Sequence, residues 1–499
     1  MELSTNKVMH TKDNLIKAGA WLDDEDCTAR LIYINGRFVP QLSKITKYVY
    51  NVDTATHLSD EVQTMLGRLT DGFTDELAVP VPSGDEFLTS FRKLSGPDHC
   101  VGNATSQFAI NYQQGTACFA ALNTICTGAI AYIQGTTPTT TDNTTQTNQP
   151  VLLVNAVTKN GGVYSTTNNT SMDDKGVTCH PRCLVICEEN STLSLVQSIV
   201  DLEEQHDEQQ QQQQQHRAKL YNGYTQIFVK AGANVTHSYL EESGGVVTPG
   251  TEISDSDLQA QAGIVVVPPR DIEARRPELR DTHLEAIDVH IMGDNGVYAG
   301  TLLNMGGSGR VRVALSVSLL RPGADATVNG FCLSGGAQRT DIKTNIHHIA
   351  QGTTSSQNQR NMIGGRAIGA FRGRIRVEQS AQQTNSHQLS RSILLSDRAR
   401  AWAVPSLEII ADDVICTHGA TVSDLSEEEL FYLRSRGLSR ALARNLLMYA
   451  FAAESSNKVD PAMLGDVDSD RGLQKRMISR LENLVPRGDR AVKGEFQSI

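Results

Sequence analysis

The feature that most constrains the fold of this chain is a period-two alternation of apolar with polar or small residues, without convincing helices, between Val151 and Val414. Val311, Val313 and Leu315 show it clearly, as do the apolar residues from Phe371 onwards. Residues two apart in a strand share a face, so each run predicts a strand with one buried side. Gly, Asn or Asp turns separate the runs. Helix-free strands over such a length predict a sandwich, a barrel or a β-solenoid.

The arrangement of these strands is not decided by periodicity alone. No strict repeat is visible in the sequence, which argues against a regular propeller. The continuous alternation of strands and turns, without a clear hairpin pattern, favours a somewhat irregular solenoid over the other two folds.

The segments around this β-rich core have a different character. Residues 1–150 predict a mixed α/β region with a hairpin over 29–40, whose Asn35-Gly36 pair predicts a type I′ turn. Residues 116–133 predict a helix followed by a strand. Two polar tracts, a Thr- and Asn-rich linker at 136–150 and a poly-Gln insertion near 203–216, predict solvated loops. The predicted core therefore spans 151–418.

Residues 419–499 predict a C-terminal helical domain. Ser426 and Glu429 have the spacing of a capping box, and Gly437 predicts the end of that first helix. A second helix is predicted from Ser439, with Leu442, Leu446, Leu447 and Phe451 near one face. A third is predicted over 471–484.

Charge and composition exclude several classes of protein. The formal net charge of −11 and the isoelectric point near 5.7 argue against a general nucleic-acid or membrane-surface role, which needs a basic face. No apolar run approaches the roughly 18 residues of a membrane-spanning helix. The nine cysteines are an odd number and mostly scattered, which does not indicate a disulfide framework.

Cys416 and His418 are the best candidate pair of metal ligands. They are two residues apart in a predicted strand, so a thiolate and an imidazole would point the same way. This donor pair suits iron, zinc or an iron–sulfur cluster, with His418 as a metal ligand. Alternatively, Cys416 packs as a small apolar residue and His418 donates to a turn. Two ligands do not complete a site, so a second chain would supply the rest.

Other chemically interesting residues favour structural interpretations. Cys183 and Cys187 would lie about 13 Å apart on one strand face, too far to share a metal, so they are predicted to be buried cysteines. Asp341, Thr344 and His348 are predicted to form a buried polar network, with part of a site as the alternative. No self-sufficient catalytic constellation is visible, which counts against an enzyme.

Residues 341–437 resemble the SufB/SufD family, the scaffold subunits of the SUF iron–sulfur cluster assembly machinery. The resemblance is carried, in order, by the following elements: Asp341-x-x-Thr344-x-x-x-His348, Ser356-Gln357, Phe371-x-Gly373-x-Ile375-x-Val377, Ala381-x-x-Thr384, Leu394-Leu395, Pro405-x-Leu407-Glu408-Ile409, Ala411-Asp412-Asp413-Val414-x-Cys416-x-His418-Gly419-Ala420-Thr421 and Phe431-Tyr432-Leu433-Arg434-Ser435-Arg436-Gly437. The last two elements resemble the SufD branch. The SufB branch has a cluster-assembly cysteine where Ser390 stands here.

The resemblance implies a mainly β protein: a right-handed parallel β-helix core flanked by an N-terminal α/β region and a C-terminal helical domain. It implies a non-catalytic scaffold that pairs with SufB along the β-helix and binds no nucleotide of its own. A transient iron–sulfur cluster would form at the SufB interface with help from His418 and the neighbouring Cys416. The SufC ATPase would dock on the C-terminal helices, through residues that include Phe431, Tyr432, Leu433, Arg434, Arg436, Leu442 and Leu446.

One departure concerns the N-terminus. Many family members have a Trp-Lys-Tyr-Thr element before the hairpin, and its absence here predicts a truncated N-terminal region. A targeting segment would be lost with it. The poly-Gln run indicates a eukaryotic gene, for which a plastid location is expected; otherwise the location would be cytoplasmic. The rival functions are a SufB-like scaffold, against which Ser390 argues, and a polysaccharide-active β-helix enzyme, against which the 5% aromatic content argues.

Overall fold

The computed structural model describes residues 5–53, 123, 129–135, 149–158, 177–202, 219–243, 281–464 and 472–484 of the 499 residues. Most of these residues lie in two ten-stranded sheets. Strands that follow one another along the core alternate between the two sheets, and each pairs in parallel with the strand two places later. The mainly β class with a β-helix-like core is therefore confirmed.

The first sheet contains, from one edge to the other, β2 (Arg37–Phe38), β1 (Ala29–Ile34), β5 (Val151–Thr158), β8 (Thr192–Leu202), β10 (Asn234–Glu241), β12 (Val297–Asn304), β14 (Asp325–Ser334), β16 (Thr354–Ile363), β18 (Thr384–Leu394) and β20 (Val414–Ser423). The second contains β19 (Arg400–Ile409), β17 (Ile368–Val377), β15 (Arg339–His348), β13 (Arg310–Leu319), β11 (Thr282–Ile291), β9 (Lys219–Val229), β7 (Arg182–Cys187), β4 (Ala129–Gly135) and β3 (Val49–Asp53), with β6 (Val177–Cys179) also paired to β9.

The start of the first sheet is the predicted hairpin. Strands β1 and β2 pair antiparallel, and Asn35 and Gly36 between them both have positive φ, 50° and 75°. A type I′ turn requires positive φ at both central positions, which Asn-Gly provides at low cost. This prediction is confirmed, and β1 then continues into the parallel ladder through β5.

Two hydrophobic clusters hold the molecule together. One lies between the two sheets and contains inward-facing residues such as Val313, Leu315 and Phe371. The other joins the outer face of the first sheet to the helices, with Phe331 and Met362 of the sheet in the same cluster as Met448 of a helix. The first sheet is thus buried on both faces over much of its area, as its nearly continuous apolar strands require.

The helices with described bounds are α1 (Thr5–Lys17), a 3₁₀ turn at Pro40–Leu42, α2 (Glu427–Ser435), α3 (Arg440–Ser456), α4 (Pro461–Leu464) and α5 (Leu473–Leu484). The predicted helix starts are confirmed: Ser426 Oγ accepts from the Glu429 amide at 3.3 Å, and Ser439 Oγ accepts from the Leu442 amide at 3.2 Å. Gly437, with a φ of 94°, follows the end of α2. The third predicted helix begins at Leu473 instead of Arg471.

The C-terminal helices are fixed to the sheet by polar contacts as well as by apolar packing. Arg360 of β16 forms an ion pair with Glu454 of α3, and the Asp460 amide donates to Ser238 Oγ of β10 at 3.0 Å. Arg476 of α5 pairs with the buried Glu242 at 2.9 Å. These contacts reach β16, β10 and the residue that follows β10, so the helices are tied to well-separated parts of the first sheet.

Other sequence predictions have mixed outcomes. Cys179, Cys183 and Cys187 are buried free thiols, as predicted. The proposed network of Asp341, Thr344 and His348 is wrong. Asp341 pairs with Arg312 at 3.0 Å, and His348 bonds the hydroxyls of Thr353 and Ser355. The Thr344 hydroxyl instead accepts from Gln357 Nε2.

Several predictions lie wholly or partly outside the described residues. Neither the linker at 136–148 nor the insertion at 203–216 is described. Of the predicted helix and strand over 116–133, the structure describes Asn123 and the strand β4. The domain limits stay a prediction.

Candidate functional site

The last coil of the core, formed by β19 and β20, is the most exposed part of the β-rich structure. Strands β19 and β20 end their sheets, so each pairs with a neighbour on one side within the described residues. Edge strands present unpaired backbone N–H and C=O groups to the surroundings. Exposed apolar side chains also collect here, including Trp402 (55% exposed) and Ile415 (64%).

Cys416 and His418 lie on β20, at the open end of the coil. Pairing with β18 places Cys416 beside Ser386 and His418 beside Gln388. Cys416 is half-buried and packs against the cluster between the sheets, and this burial raises the pKa of its thiol. His418 is exposed. Cys416 and His418 are on one face of β20. That face packs against the core at Cys416 and is exposed at His418.

The described residues do not bring together three His, Cys, Asp or Glu side chains in an arrangement able to hold a metal ion. Cys416 and His418 therefore supply one thiol and one imidazole from this part of the chain. Cysteine and histidine both ligate iron–sulfur clusters, but a cluster needs more ligands than two. Their exposed edge position suits a site shared with another chain.

His387 is an exposed residue near this site that sequence reasoning missed. It belongs to β18, pairs with Thr417, and its Nδ1 lies 2.7 Å from Thr417 Oγ1. Strand alternation puts it on the opposite sheet face from Cys416 and His418. The detectable signal was its position 30 residues before Thr417, one coil of the core earlier.

A row of buried polar side chains leads inward from the site. Gln388 Nε2 donates to Gln357 Oε1 at 2.7 Å, and Gln357 Nε2 donates in turn to Thr344 Oγ1 at 2.5 Å. Ser390 is buried two residues beyond Gln388, in register with Ala420. Polar residues in this part of the core therefore form an ordered stack.

A second buried polar group lies deeper between the sheets. His283 Nε2 is 2.6 Å from the Tyr239 hydroxyl, and the His283 ring stacks on Tyr221 at 4.5 Å between ring centres. Thr225 donates to the Glu285 carboxyl at 3.1 Å. Burial raises the pKa of Glu285 to about 8 and lowers the pKa of His283 to about 3, so both groups favour their neutral forms.

The predicted docking residues lie on and near the hairpin formed by α2 and α3. Phe431 is 73% exposed and Tyr432 is exposed beside it, with the Arg436 guanidinium over the Tyr432 ring at 5.2 Å. Arg434 is exposed, and with Phe431 it lines a shallow groove that continues through Leu438 to Arg440.

The remaining predicted docking residues are less accessible. Leu433 and Leu446 are half-buried. Leu442 is 8% exposed, so its side chain supports the hairpin from within instead of forming part of its surface.

Comparison with known proteins places most of this structure in one family. Residues 168–451 match the family described as "SUF system FeS cluster assembly, SufBD core domain". The chain is 32% identical over 163 residues to the iron–sulfur cluster assembly protein SufD of Escherichia coli. It is 27% identical over 282 residues to the chloroplastic protein ABCI7 of Arabidopsis thaliana, and 49% identical over 98 residues to a SufBD family protein of Synechocystis.

Each match covers only part of this chain and part of the relative. The E. coli match takes in 33% of this chain and 36% of the relative, and the Arabidopsis match 56% and 49%. The Synechocystis match takes in 20% and 22%. The chain thus spans half or less of the length of these relatives. Within the described residues, no helix has the length and apolar character needed to cross a membrane.

Proposed function

The chain belongs to the SufB/SufD family of the SUF system for iron–sulfur cluster assembly, and we propose that it acts as a SufD-like scaffold subunit in a SufB–SufC–SufD complex. In this proposal the chain performs no catalysis. It presents protein ligands and a docking surface, whereas SufC hydrolyses ATP.

The observation that carries the proposal is the open last coil. Among the described residues, strands β19 and β20 each pair on one side only, and the same coil carries exposed apolar residues such as Trp402 and Ile415. A partner that adds strands to these edges would satisfy the backbone groups and cover the apolar side chains. A SufB-type chain with a β-helix of the same kind is the occupant that we propose.

Iron and sulfide are the cargo of this interface. His418 is exposed at the open end and Cys416 lies on the same strand face, so a partner docked there would meet both. The partner would provide the remaining ligands, because the described residues do not assemble a complete set. We propose that the cluster is transient and passes on to an acceptor.

The α2–α3 hairpin is the proposed SufC contact. Its exposed aromatic residues Phe431 and Tyr432 stand beside Arg434 and Arg436, a combination enriched at the energetic centres of protein interfaces. Because α3 also packs on the first sheet, a displacement of the hairpin by SufC would be felt by the strands. This connection suits a mechanism in which ATP-driven SufC dimerisation opens the SufB interface.

The SufD-like role and the location have separate support. Ser390 is a buried serine where the SufB branch has its cluster-assembly cysteine, so this position offers no thiolate. The Arabidopsis relative is named as chloroplastic, which supports a plastid location for this chain.

Anaerobic co-expression with the SufB and SufC of the same organism tests the proposal. The mass of the complex that co-purifies with a tagged copy of this chain is measured by native mass spectrometry. We expect one species that contains all three proteins. A chain that purifies as a folded monomer in the presence of both partners would contradict the proposed function.

A further inference from the structure

The side-chain hydrogen bonds in the buried polar row beside His418 all run in the same direction. Gln357 in β16 and Gln388 in β18 are register partners, and His418 in β20 is the register partner of Gln388. Gln388 donates from Nε2 to Gln357 Oε1, and Gln357 donates from Nε2 to Thr344 on the preceding strand, β15. Each side chain thus donates toward the N-terminal end of the core and leaves its oxygen for the next coil.

The last acceptor of this row has no hydrogen-bond donor among the described residues. Gln388 is 2% exposed, and its Oε1 has no hydrogen-bond partner among the described residues. A buried amide oxygen without a donor costs about 1–3 kcal/mol. When the row is continued by one register position, the side chain that would supply the missing donor is His418.

The Gln388 amide is held in place on its other sides. A Cβ atom at Gly373 of the facing strand would lie 2.4 Å from Gln388 Nε2, so the glycine leaves the space that the amide fills. With Nε2 committed to Gln357, the amide cannot turn over without losing that bond. Its oxygen therefore keeps one orientation.

We propose that Gln388 is a positioning residue for His418: Gln388 Oε1 accepts the N–H of the His418 imidazole and fixes which ring nitrogen carries the proton. Adjacent parallel strands are about 4.8 Å apart, which a side-chain hydrogen bond between register partners spans. The exposed ring reaches the oxygen by rotation about its side-chain bonds. The other ring nitrogen then keeps its lone pair directed away from the core.

This inference deepens the proposed function and rests on it for its purpose. A histidine ligand binds a metal through an unprotonated nitrogen, and a hydrogen bond from the other nitrogen sets the tautomer and orientation of the ring. Gln388 would thus prepare His418 for the iron or cluster cargo before a partner docks. The hydrogen bond itself needs only this chain.

The test is the tautomer of His418 in the full chain labelled with [¹⁵N]histidine. His418→Gln assigns the two ring-nitrogen resonances, and spectra are recorded at alkaline pH. In the unsubstituted chain we expect one protonated and one unprotonated nitrogen, with well-separated resonances. In Gln388→Met the separation should narrow markedly, because both tautomers are then populated and exchange. Gln388→Asn, which keeps the amide but shortens its reach, should behave in the same way.

Ser390→Ala is the matched control. Ser390 is also buried on β18 and its Oγ also has no partner among the described residues, but its register partner Ala420 has no side-chain donor. This variant should keep the separated His418 resonances. The inference is overturned if the unsubstituted chain already shows averaged tautomers, a result that requires no variant to fold. It is also overturned if the Met and Asn variants both keep the original pattern.

A second readout separates this inference from the proposed function. Cluster yield is measured in the co-expressed complex for His418→Ala and Gln388→Met. If tautomer control is confirmed but His418→Ala gives normal yield, the positioning stands and the role of His418 in cluster assembly fails. If Gln388→Met lowers the yield without any change in tautomer, the positioning fails and the scaffold function stands.

Discussion

His418 is exposed whereas its register partner Gln388 is buried, so the imidazole stands at the boundary between the core and the open end. We expect His418→Ala to leave the SufB–SufC–SufD complex assembled and to lower cluster formation by about tenfold, a loss in the range seen for groups that tune metal sites. Iron and acid-labile sulfide per complex, together with the visible absorption of the cluster, measure this.

His387→Ala is the control for that experiment. It removes another exposed imidazole, one coil away on the opposite sheet face, where it contacts Thr417. Its cluster content should equal that of the unsubstituted complex. Equal losses in the two variants would show that the effect is not specific to His418.

Glu285 makes the stability of the core depend on pH. Burial raises its pKa to about 8 in the folded chain from a reference value of 4.5. The unfolded chain therefore releases this proton at lower pH, and the stability from burying the neutral acid falls as pH rises from 4.5 toward 8. Glu285→Gln should remove this dependence. The difference in free energy of unfolding between this variant and the unsubstituted chain should therefore shift in favour of the variant by roughly 3–5 kcal/mol from pH 4.5 to pH 8.

Urea unfolding followed by circular dichroism across this pH range measures the effect. Glu428→Gln, at an exposed position in the first turn of α2, is the control, and its pH profile should run parallel to that of the unsubstituted chain. A Glu285→Gln profile that also runs parallel would show that the buried acid does not titrate as described.

At the scale of elements, the α2–α3 hairpin has an exposed side, which is the proposed SufC contact, and a buried side that packs on the sheet. Phe431 is largely exposed, so Phe431→Ala should leave the fold intact. We expect it to weaken SufC binding by about thirtyfold, the loss typical of an aromatic residue at the centre of an interface. Isothermal titration calorimetry with purified SufC provides the measurement.

Leu442→Ala is the contrasting variant in the same hairpin. Leu442 is buried, and its truncation should destabilise the chain by about 2–3 kcal/mol. At a temperature where it remains folded, we expect a smaller loss of SufC affinity than for Phe431→Ala. The opposite order of affinities would place the contact elsewhere.

At the scale of the whole molecule, the two ends of the core differ in how their edge strands are paired. Strand β1 is covered by the antiparallel β2, whereas no described strand covers the outer edges of β19 and β20. Charged residues on edge strands oppose pairing with another chain. The double variant Val404→Lys and Ile415→Lys should therefore lower the recovery of SufB in the co-purified complex by at least about tenfold.

Ile45→Lys is the matched control because Ile45 is an exposed apolar residue near the covered end, next to the bridge between Arg30 and Lys44. Its SufB recovery, measured by quantitative mass spectrometry, should be unchanged. If the edge variant also retains SufB, the partner binds another surface.

The sequence was most informative where structure depends on neighbouring residues. The Asn35-Gly36 turn and the caps at Ser426 and Ser439 follow from local backbone requirements, and all three were predictable. The pairing of His418 with Gln388 was not, because it joins residues 30 apart and depends on the length of every intervening turn.

Two further parts of the interior were missed for physical reasons. Asp341 and Thr344 are three residues apart and therefore face opposite sides of their strand, which the predicted network ignored. Glu285 and His283 are polar residues inside the core, and an alternating pattern assigns such residues to the surface. Only their three-dimensional neighbours explain why they can be buried.

The open last coil also has a consequence for the energetics of folding. In a stacked architecture, stability is approximately a sum over units and the interfaces between nearest neighbours, and a terminal unit lacks one such interface. Within the described residues the coil of β19 and β20 is in that position, and β20, the strand with the proposed ligands, is an edge strand. A partner docked there as proposed would act as a capping repeat, so the free energy of assembly would contribute directly to the folding of the strand that carries His418.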